Sequence, residues 1–241
     1  MREVPYKESS KMLTILTAGH GKLSVNVRGA LRKNSKFAAV TGLLVFSEMT
    51  LFQSRDRWSM TEARSIEQFL GLRNDLALLS LASYFAELVE AVADEDSPNP
   101  ELLPLCLNAL FALSEGLKVP NLIKPAFELR LMVVAGFAPL IDRCSVCGND
   151  DSDSVVLDIN EGVLICSDCS LVGNYRLSRG ALIAARYIMG CDPKKLYSFN
   201  LGDGALRELA NATESYLLAH LDRSFRTLNY YNKIANAHYS A

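Results

Sequence analysis

Four of the chain's six cysteines stand as two tight pairs, Cys144-x2-Cys147 in DRCSVCG and Cys166-x2-Cys169 in CSDC, with eighteen residues between them. That separation fits the two-pair zinc template of roughly 15–20 intervening residues. A Cys-x-x-Cys turn lets two thiolates converge on one tetrahedral ion, and a second such turn completes four-coordination. Gly148, just past the first pair, suits a turn that needs positive φ. Two redox dithiols or disulfides are the alternatives. A redox Cys-x-x-Cys usually stands once near a βαβ pattern. Disulfides fit poorly, because MREVPYKESSK is charged from residue 2 and carries no apolar signal segment. The reading is one structural Zn²⁺ on Cys144, Cys147, Cys166 and Cys169. Four thiolates leave no open position for a reactive water, so catalysis by the metal is disfavoured.

The second informative stretch is GHGKLSVNVRGALRKNSKF. Lys22, Arg28, Arg32, Lys33 and Lys36 fall within it, and no acidic residue occurs from 18 to 47. Cation clusters of this kind bind polyanions by releasing counterions, so these five are the candidate DNA-binding residues, set against a plain solvated loop. A weaker positive run holds Arg176, Arg179, Arg186, Lys194 and Lys195 against only Asp192 between 171 and 199; an ordinary helix surface is the favoured reading there. GHGKLS resembles the end of a phosphate-binding loop, but Leu23 stands where Ser or Thr is required. The acidic run at 149–154 lacks the Gly and final Glu of a calcium loop and reads as a solvated tip. His20, His220 and His238 have no partner pattern, and no acid–base or nucleophile constellation emerges.

Elements must position these residues. The 241-residue chain is 49% apolar, enough for a substantial core, and its net charge of −2 makes it no generic polyanion binder. The longest uncharged run, Leu102–Ser114, contains Pro104 and is too short to span a bilayer. The chain therefore reads as a cytoplasmic protein without a membrane segment. Up to about residue 75 strand signals dominate: KMLTILT, the clean alternation of LSVNVR, then VTGLLVF, MTLFQ and RWSM, suggesting a small antiparallel barrel. Phe37, Phe46, Phe52 and Trp58 could stack bases on such a barrel, though each singly suits a core. Beyond it, helical runs follow: DLALLSLASYFAELVEAVAD, PELLPLCLNALFALSEG, and KPAFELRLMVVAGFAP with Pro125 just inside its start and Gly136 just past its end. SVVLDINEGVLIC reads as a hairpin turning at Glu161-Gly162. Ser178 and Asp203 are the expected caps of two later helices. Cys106 and Cys191 read as ordinary core cysteines.

The elements read as α+β: a small N-terminal β-barrel over 1–75, then a helical domain over 76–241 with the four-cysteine module at about 142–172. In this order two strings, ES…T…HGK…G…R…S and E-L-R-L…G-F-A-P…C-x-x-C-G, resemble the RecO family of bacterial recombination mediators over nearly the whole chain, and the resemblance implies that the barrel is an OB-fold and that the zinc module is inserted in the helical domain. The resemblance implies a non-enzymatic protein of DNA repair and recombination, associated with the bacterial nucleoid. It implies binding to single- and double-stranded DNA, annealing of complementary strands, and loading of RecA onto strands coated by single-strand-binding protein (SSB). It also implies complexes with RecR and with the acidic, hydrophobic C-terminal tail of SSB. Some members of the family lack the cysteines, which implies a structural or DNA-adjacent role for the metal. A zinc-ribbon interaction module of another pathway, such as transcription, is the competing reading.

Overall fold

The computed structural model describes residues 1–169, 173 and 175–238, with side chains as far as Ala235. The end of the expected zinc module, 170–172, lies outside the described residues, as does the His238 side chain.

Strand β3 (Gly21–Val27) carries the predicted alternation, with Leu23, Val25 and Val27 buried and Ser24 exposed. It pairs antiparallel with β2 (Ser10–Thr17) and parallel with β5 (Arg57–Glu67); β1 (Arg2–Tyr6) pairs with β2, and β4 (Phe46–Ser54) with β5. The order β1-β2-β3-β5-β4 makes a partly open five-stranded barrel of the OB type. A parallel pair needs a crossover, and residues 28–45 together with β4 supply it. Two side chains of that crossover, Phe37 and Val40, are buried in the barrel core beside Leu13, Val25 and Met60. Burying Phe37 alone contributes about 1.5–3 kcal/mol.

This anchoring corrects the strand expected at VTGLLVF. The Val40 and Thr41 amides donate to the Phe37 carbonyl at 3.2 and 3.0 Å, the Thr41 hydroxyl donates to it at 2.9 Å, and Leu44 takes a left-handed φ of 60°. Of this run Val40 enters the barrel core, and β4 begins only at Phe46. Conversely β1, unmarked in the sequence, is an edge strand exposed at every residue, so no burial pattern announces it.

The chain forms two compact units, Met1–Glu115 with Phe225–Ala241, and Gly116–Ser224. In the first, Asp75 caps α1 (Leu76–Val92), its carboxylate accepting from the Ala77 and Leu78 amides at 2.7 and 3.2 Å. Helix α2 (Leu102–Ser114) follows. Helix α6 (Arg226–His238) returns to α1, where Glu87 accepts from the Thr227 amide at 3.2 Å and from its hydroxyl.

The second unit is built around α3 (Pro120–Val134), whose residues 122–132 are all buried. The sequence pattern puts the start of this helix at Pro125; it begins a turn and a half earlier, with Pro120 in the first position and Pro125 inside. Strands β6 (Leu140–Cys144), β7 (Ser154–Asp158), β8 (Val163–Cys166) and β9 (Arg176–Ser178) form a sheet in the order β6-β8-β7-β9. Helices α4 (Arg179–Gly190) and α5 (Asp203–Leu221) pack on α3. Ser178 stands at the expected N-cap position of α4 but gives its hydroxyl to Glu208 at 2.6 Å instead of to the helix, and Gly202, one residue before Asp203, is the cap of α5.

Three charges lie buried on α3, and each has an assigned partner. Lys124 Nζ is 2.7 Å from both Glu128 Oε1 and Glu214 Oε2, and Glu128 accepts from the Thr213 hydroxyl at 3.0 Å. Burial alone pushes the Lys124 ammonium down, but the carboxylates of Glu128 and Glu214 outweigh it and hold it above the ordinary lysine value. Arg130 donates to the carbonyls of Ile188, Met189 and Cys191 at 3.1, 2.6 and 3.1 Å, closing the C-terminus of α4. The E-L-R string of the family pattern is therefore structural. Lys124→Met, which strands the fully buried Glu128 carboxylate, is expected to cost about 3–5 kcal/mol in urea unfolding, and adding Glu128→Leu to recover part of it. A loss under about 1 kcal/mol in the single variant would contradict this assignment.

Candidate metal centre and nucleic-acid surface

Each cysteine pair is positioned by a strand end. Cys144 closes β6, and the Gly148 amide returns to its carbonyl at 2.9 Å with Gly148 at φ 76°. The β7–β8 hairpin, turning through Gly162, delivers Cys166 at the end of β8, and the Cys169 amide donates to the Cys166 carbonyl at 3.0 Å. The result brings all four Sγ atoms within 4.8 Å of one another. Cys147 and Cys166 Sγ are 3.6 Å apart. A tetrahedral ion with Zn–S near 2.3 Å sets S···S at about 3.8 Å, so the donor set fits such an ion.

The electrostatics point the same way. The Cys144 sulfur accepts from the Val146 and Cys166 amides at 3.4 and 3.3 Å. Backbone amides, those of Cys147 and Cys166 foremost, draw its thiol down to about 6. The neighbouring sulfurs of Cys147 and Cys166 push Cys169 up to about 12. Four sulfurs this close do not all ionise unless a cation sits among them. Cys144 and Cys166 are buried and Cys147 is exposed, so one side of the cluster faces solvent.

The five predicted DNA-binding cations part company. Lys22 donates its ammonium to the Glu90 carbonyl near the end of α1 at 3.0 Å, while its own amide bonds Asp94 at 3.0 Å. It is tied to a helix terminus. Arg28, Arg32, Lys33 and Lys36 are all exposed on the crossover loop. Lys36 Nζ lies 4.9 Å from the centre of the Phe37 ring, a cation held above the side chain that anchors the loop. No carboxylate pairs with these four among the described residues.

Of the four candidate stacking aromatics, Phe37 is core, Phe46 and Trp58 are half-buried, and Trp58 lies 5.4 Å from the His20 ring. Phe52 is 61% exposed. The β4–β5 register pairs Ser54 with Arg57 and Phe52 with Ser59, which puts Phe52 and Arg57 on one face of the hairpin with Arg55 in its turn. Arg55 and Arg57 are exposed too. The sequence pattern marks Arg55-Asp56 only as a break between strands; the signal available is arginines interleaved with aromatics around a two-residue turn.

The second positive run is largely committed inside its own unit. Arg179 pairs with Asp151 and Asp153 at 2.9 and 3.4 Å, tying the acidic tip expected to be merely solvated. Among the described residues, Arg186 donates to backbone carbonyls. Lys194 and Lys195 stay exposed in a single 3-10 turn. An apolar groove of about 610 Å³ opens in the first unit beside Leu103, Leu107 and Leu110. Burial pushes the Cys106 thiol in its lining up to about 11.

Two family models match this chain: the N-terminal domain of Recombination protein O over residues 1–69, and its C-terminal domain over 73–229. Among curated relatives named DNA repair protein RecO, that of Acetivibrio thermocellus is 32% identical, covering 95% of this chain and 92% of its own. That of Alkaliphilus metalliredigens is 30% identical, covering 97% and 96%. That of Caldicellulosiruptor bescii is 27% identical, covering 97% and 96%. With both of its domains matched and relatives aligned along nearly its whole length, the chain belongs to the RecO family.

Proposed function

We propose that this protein binds single- and double-stranded DNA, anneals complementary strands, and helps load RecA onto SSB-coated single strands. The observation that supports this reading best is the set of exposed groups on the barrel: four unpaired cations on an anchored connection, and, separately, an exposed Phe52 with Arg55 and Arg57 on the β4–β5 hairpin. Phosphate contacts supply affinity with little sequence information, and stacking selects unpaired bases. The RecO family is one of mediators, not enzymes, so the energy for remodelling comes from binding. A cationic surface holds two polyanions together and lowers their mutual repulsion. RecR and the acidic SSB tail are the proposed protein partners. The relatives are bacterial, and the proposed location is the nucleoid-bearing cytoplasm. No helix among the described residues is long and apolar enough to cross a membrane. A zinc-ribbon module of another pathway accounts for the cysteines but not for the match of both family domains.

One zinc on Cys144, Cys147, Cys166 and Cys169 is proposed as a structural ion that fixes the module by neutralising its thiolates. Protein purified without added metal is then expected to carry one zinc per chain by elemental analysis, to release it on acidification as protons compete for sulfur, and to lose it in Cys144→Ser or Cys166→Ser. Metal-free protein with reversible disulfides at these positions would overturn the assignment.

Annealing of two labelled, SSB-coated oligonucleotides should proceed equally with and without ATP and Mg²⁺. A rate that requires ATP, or phosphate release by this protein alone, would reveal a catalytic site. Phe52→Ala is expected to weaken single-strand binding by about 1–3 kcal/mol while leaving duplex binding nearly unchanged. Equal losses on both forms would mean that Phe52 stacks on no base.

A further inference from the structure

Strand β6 is irregular where it should be most rigid. Leu140 pairs with Val163 of β8, and the next paired residue is Cys144, with Leu164. Residues 141–143 therefore stand opposite no residue of β8, and the ladder that should fix the approach to the first cysteine is broken there. Bulged backbone leaves carbonyls that need other donors.

Arg186 supplies them. Its Nε donates to the Ile141 carbonyl at 2.9 Å and its Nη2 to the Asp142 carbonyl at 2.7 Å. Both Nη atoms also reach the Asp150 carbonyl at 3.2 Å. The three carbonyls flank one loop, 142–150, which contains Cys144 and Cys147. Within it the Cys144 amide donates to the Asn149 carbonyl at 2.7 Å and the Gly148 amide to the Cys144 carbonyl at 2.9 Å. One planar guanidinium thus grips the first cysteine turn at both ends. The grip is stiff because α4 is fixed on either side of Arg186: Ala184, Ala185 and Ile188 are buried, and Arg130 holds the carbonyls at the helix end. The second turn has no such need, since Cys166 is laddered to Val155 of β7.

We propose that Arg186 is a positioning residue for the metal centre, standing in for the missing strand pairing and holding Cys144 and Cys147 ready to ligate. The proposal rests on the reading of the four cysteines as a zinc site. Lysine cannot replace it, because a point ammonium does not span three carbonyls that a rigid fork spans. Groups that orient ligands typically account for 10–100-fold in metal affinity.

The experiment is chelator competition on the zinc-loaded full chain, with helix content followed by circular dichroism. Arg186→Ala and Arg186→Lys are both expected to weaken zinc binding about 10–100-fold with helix content unchanged. Arg179→Ala, which removes ion pairs to Asp151 and Asp153 but no grip on the cysteine loop, should leave zinc affinity within about twofold of wild type. If the alanine variant does not fold, the lysine variant, which keeps the charge and most of the stem, carries the test. Zinc affinity unchanged in the Arg186 variants, or reduced equally in Arg179→Ala, overturns the clamp while the metal site stands. A wild-type chain that takes up no zinc sinks the metal reading and the clamp together.

Discussion

A cation can hold DNA only if nothing within the protein has already claimed it. In a chain of net charge −2 that constraint sorts the basic residues into two kinds. Lys124 neutralises buried carboxylates, Arg130 closes a helix, Arg186 repairs a bulged strand, Arg179 ties an acidic tip, and Lys22 sits on a helix end. Where the groups they satisfy are buried, as around Lys124 and Arg130, removing the cation disturbs the fold, because those groups have no alternative donor or counter-charge. Among the described residues, Arg28, Arg32, Lys33, Lys36, Arg55 and Arg57 carry no ion pair of this kind. They stand on two connections of the barrel, one pinned by Phe37 and Val40 in the core and the other a tight hairpin. The fold keeps these charges solvated and places them on anchored backbone, which lowers the ordering cost of engaging a polyanion.

The metal centre follows a related logic with the sign reversed. Four sulfurs brought within a few ångströms repel as thiolates, and the amides around Cys144 relieve only one of them. On the proposed zinc reading a divalent ion resolves the rest, so the module's order and its metal are expected to be one equilibrium. The protein's share of that equilibrium is to hold the two turns in place beforehand, by a regular ladder at Cys166 and by a side chain at Cys144.

Much of this is legible in the sequence where local pattern and tertiary role agree. The alternation of β3 reports a strand with one buried face, the cysteine spacing reports convergence, and Asp75 before an apolar period reports the start of a helix. What stays hidden is set by distant partners. The apolar run 40–45 looks like a strand but turns at Thr41 and sends Val40 into the barrel core, and Ser178 stands at a cap position but gives its hydroxyl to Glu208. Lys22 and Arg28 are indistinguishable in composition, yet only Lys22 has a helix end within reach. Helix α6 has its own apolar spacing at Phe225, Leu228 and Tyr231, but the acceptor that fixes its start, Glu87, lies far away along the chain. The role of Arg186 is invisible for the same reason, since its three acceptors lie more than thirty residues before it.

The division between claimed and unclaimed cations is tested most directly by the salt dependence of single-strand binding. Equilibrium titrations at several salt concentrations would compare wild type with Lys22→Ala and with alanine at Arg28, Arg32, Lys33 and Lys36 together. The account predicts that the quadruple variant flattens the slope of log K against log salt by roughly 0.7 for every phosphate it no longer neutralises, and that Lys22→Ala leaves the slope as it was. A quadruple variant with unchanged affinity and slope, or a Lys22 variant that flattens the slope, would contradict it.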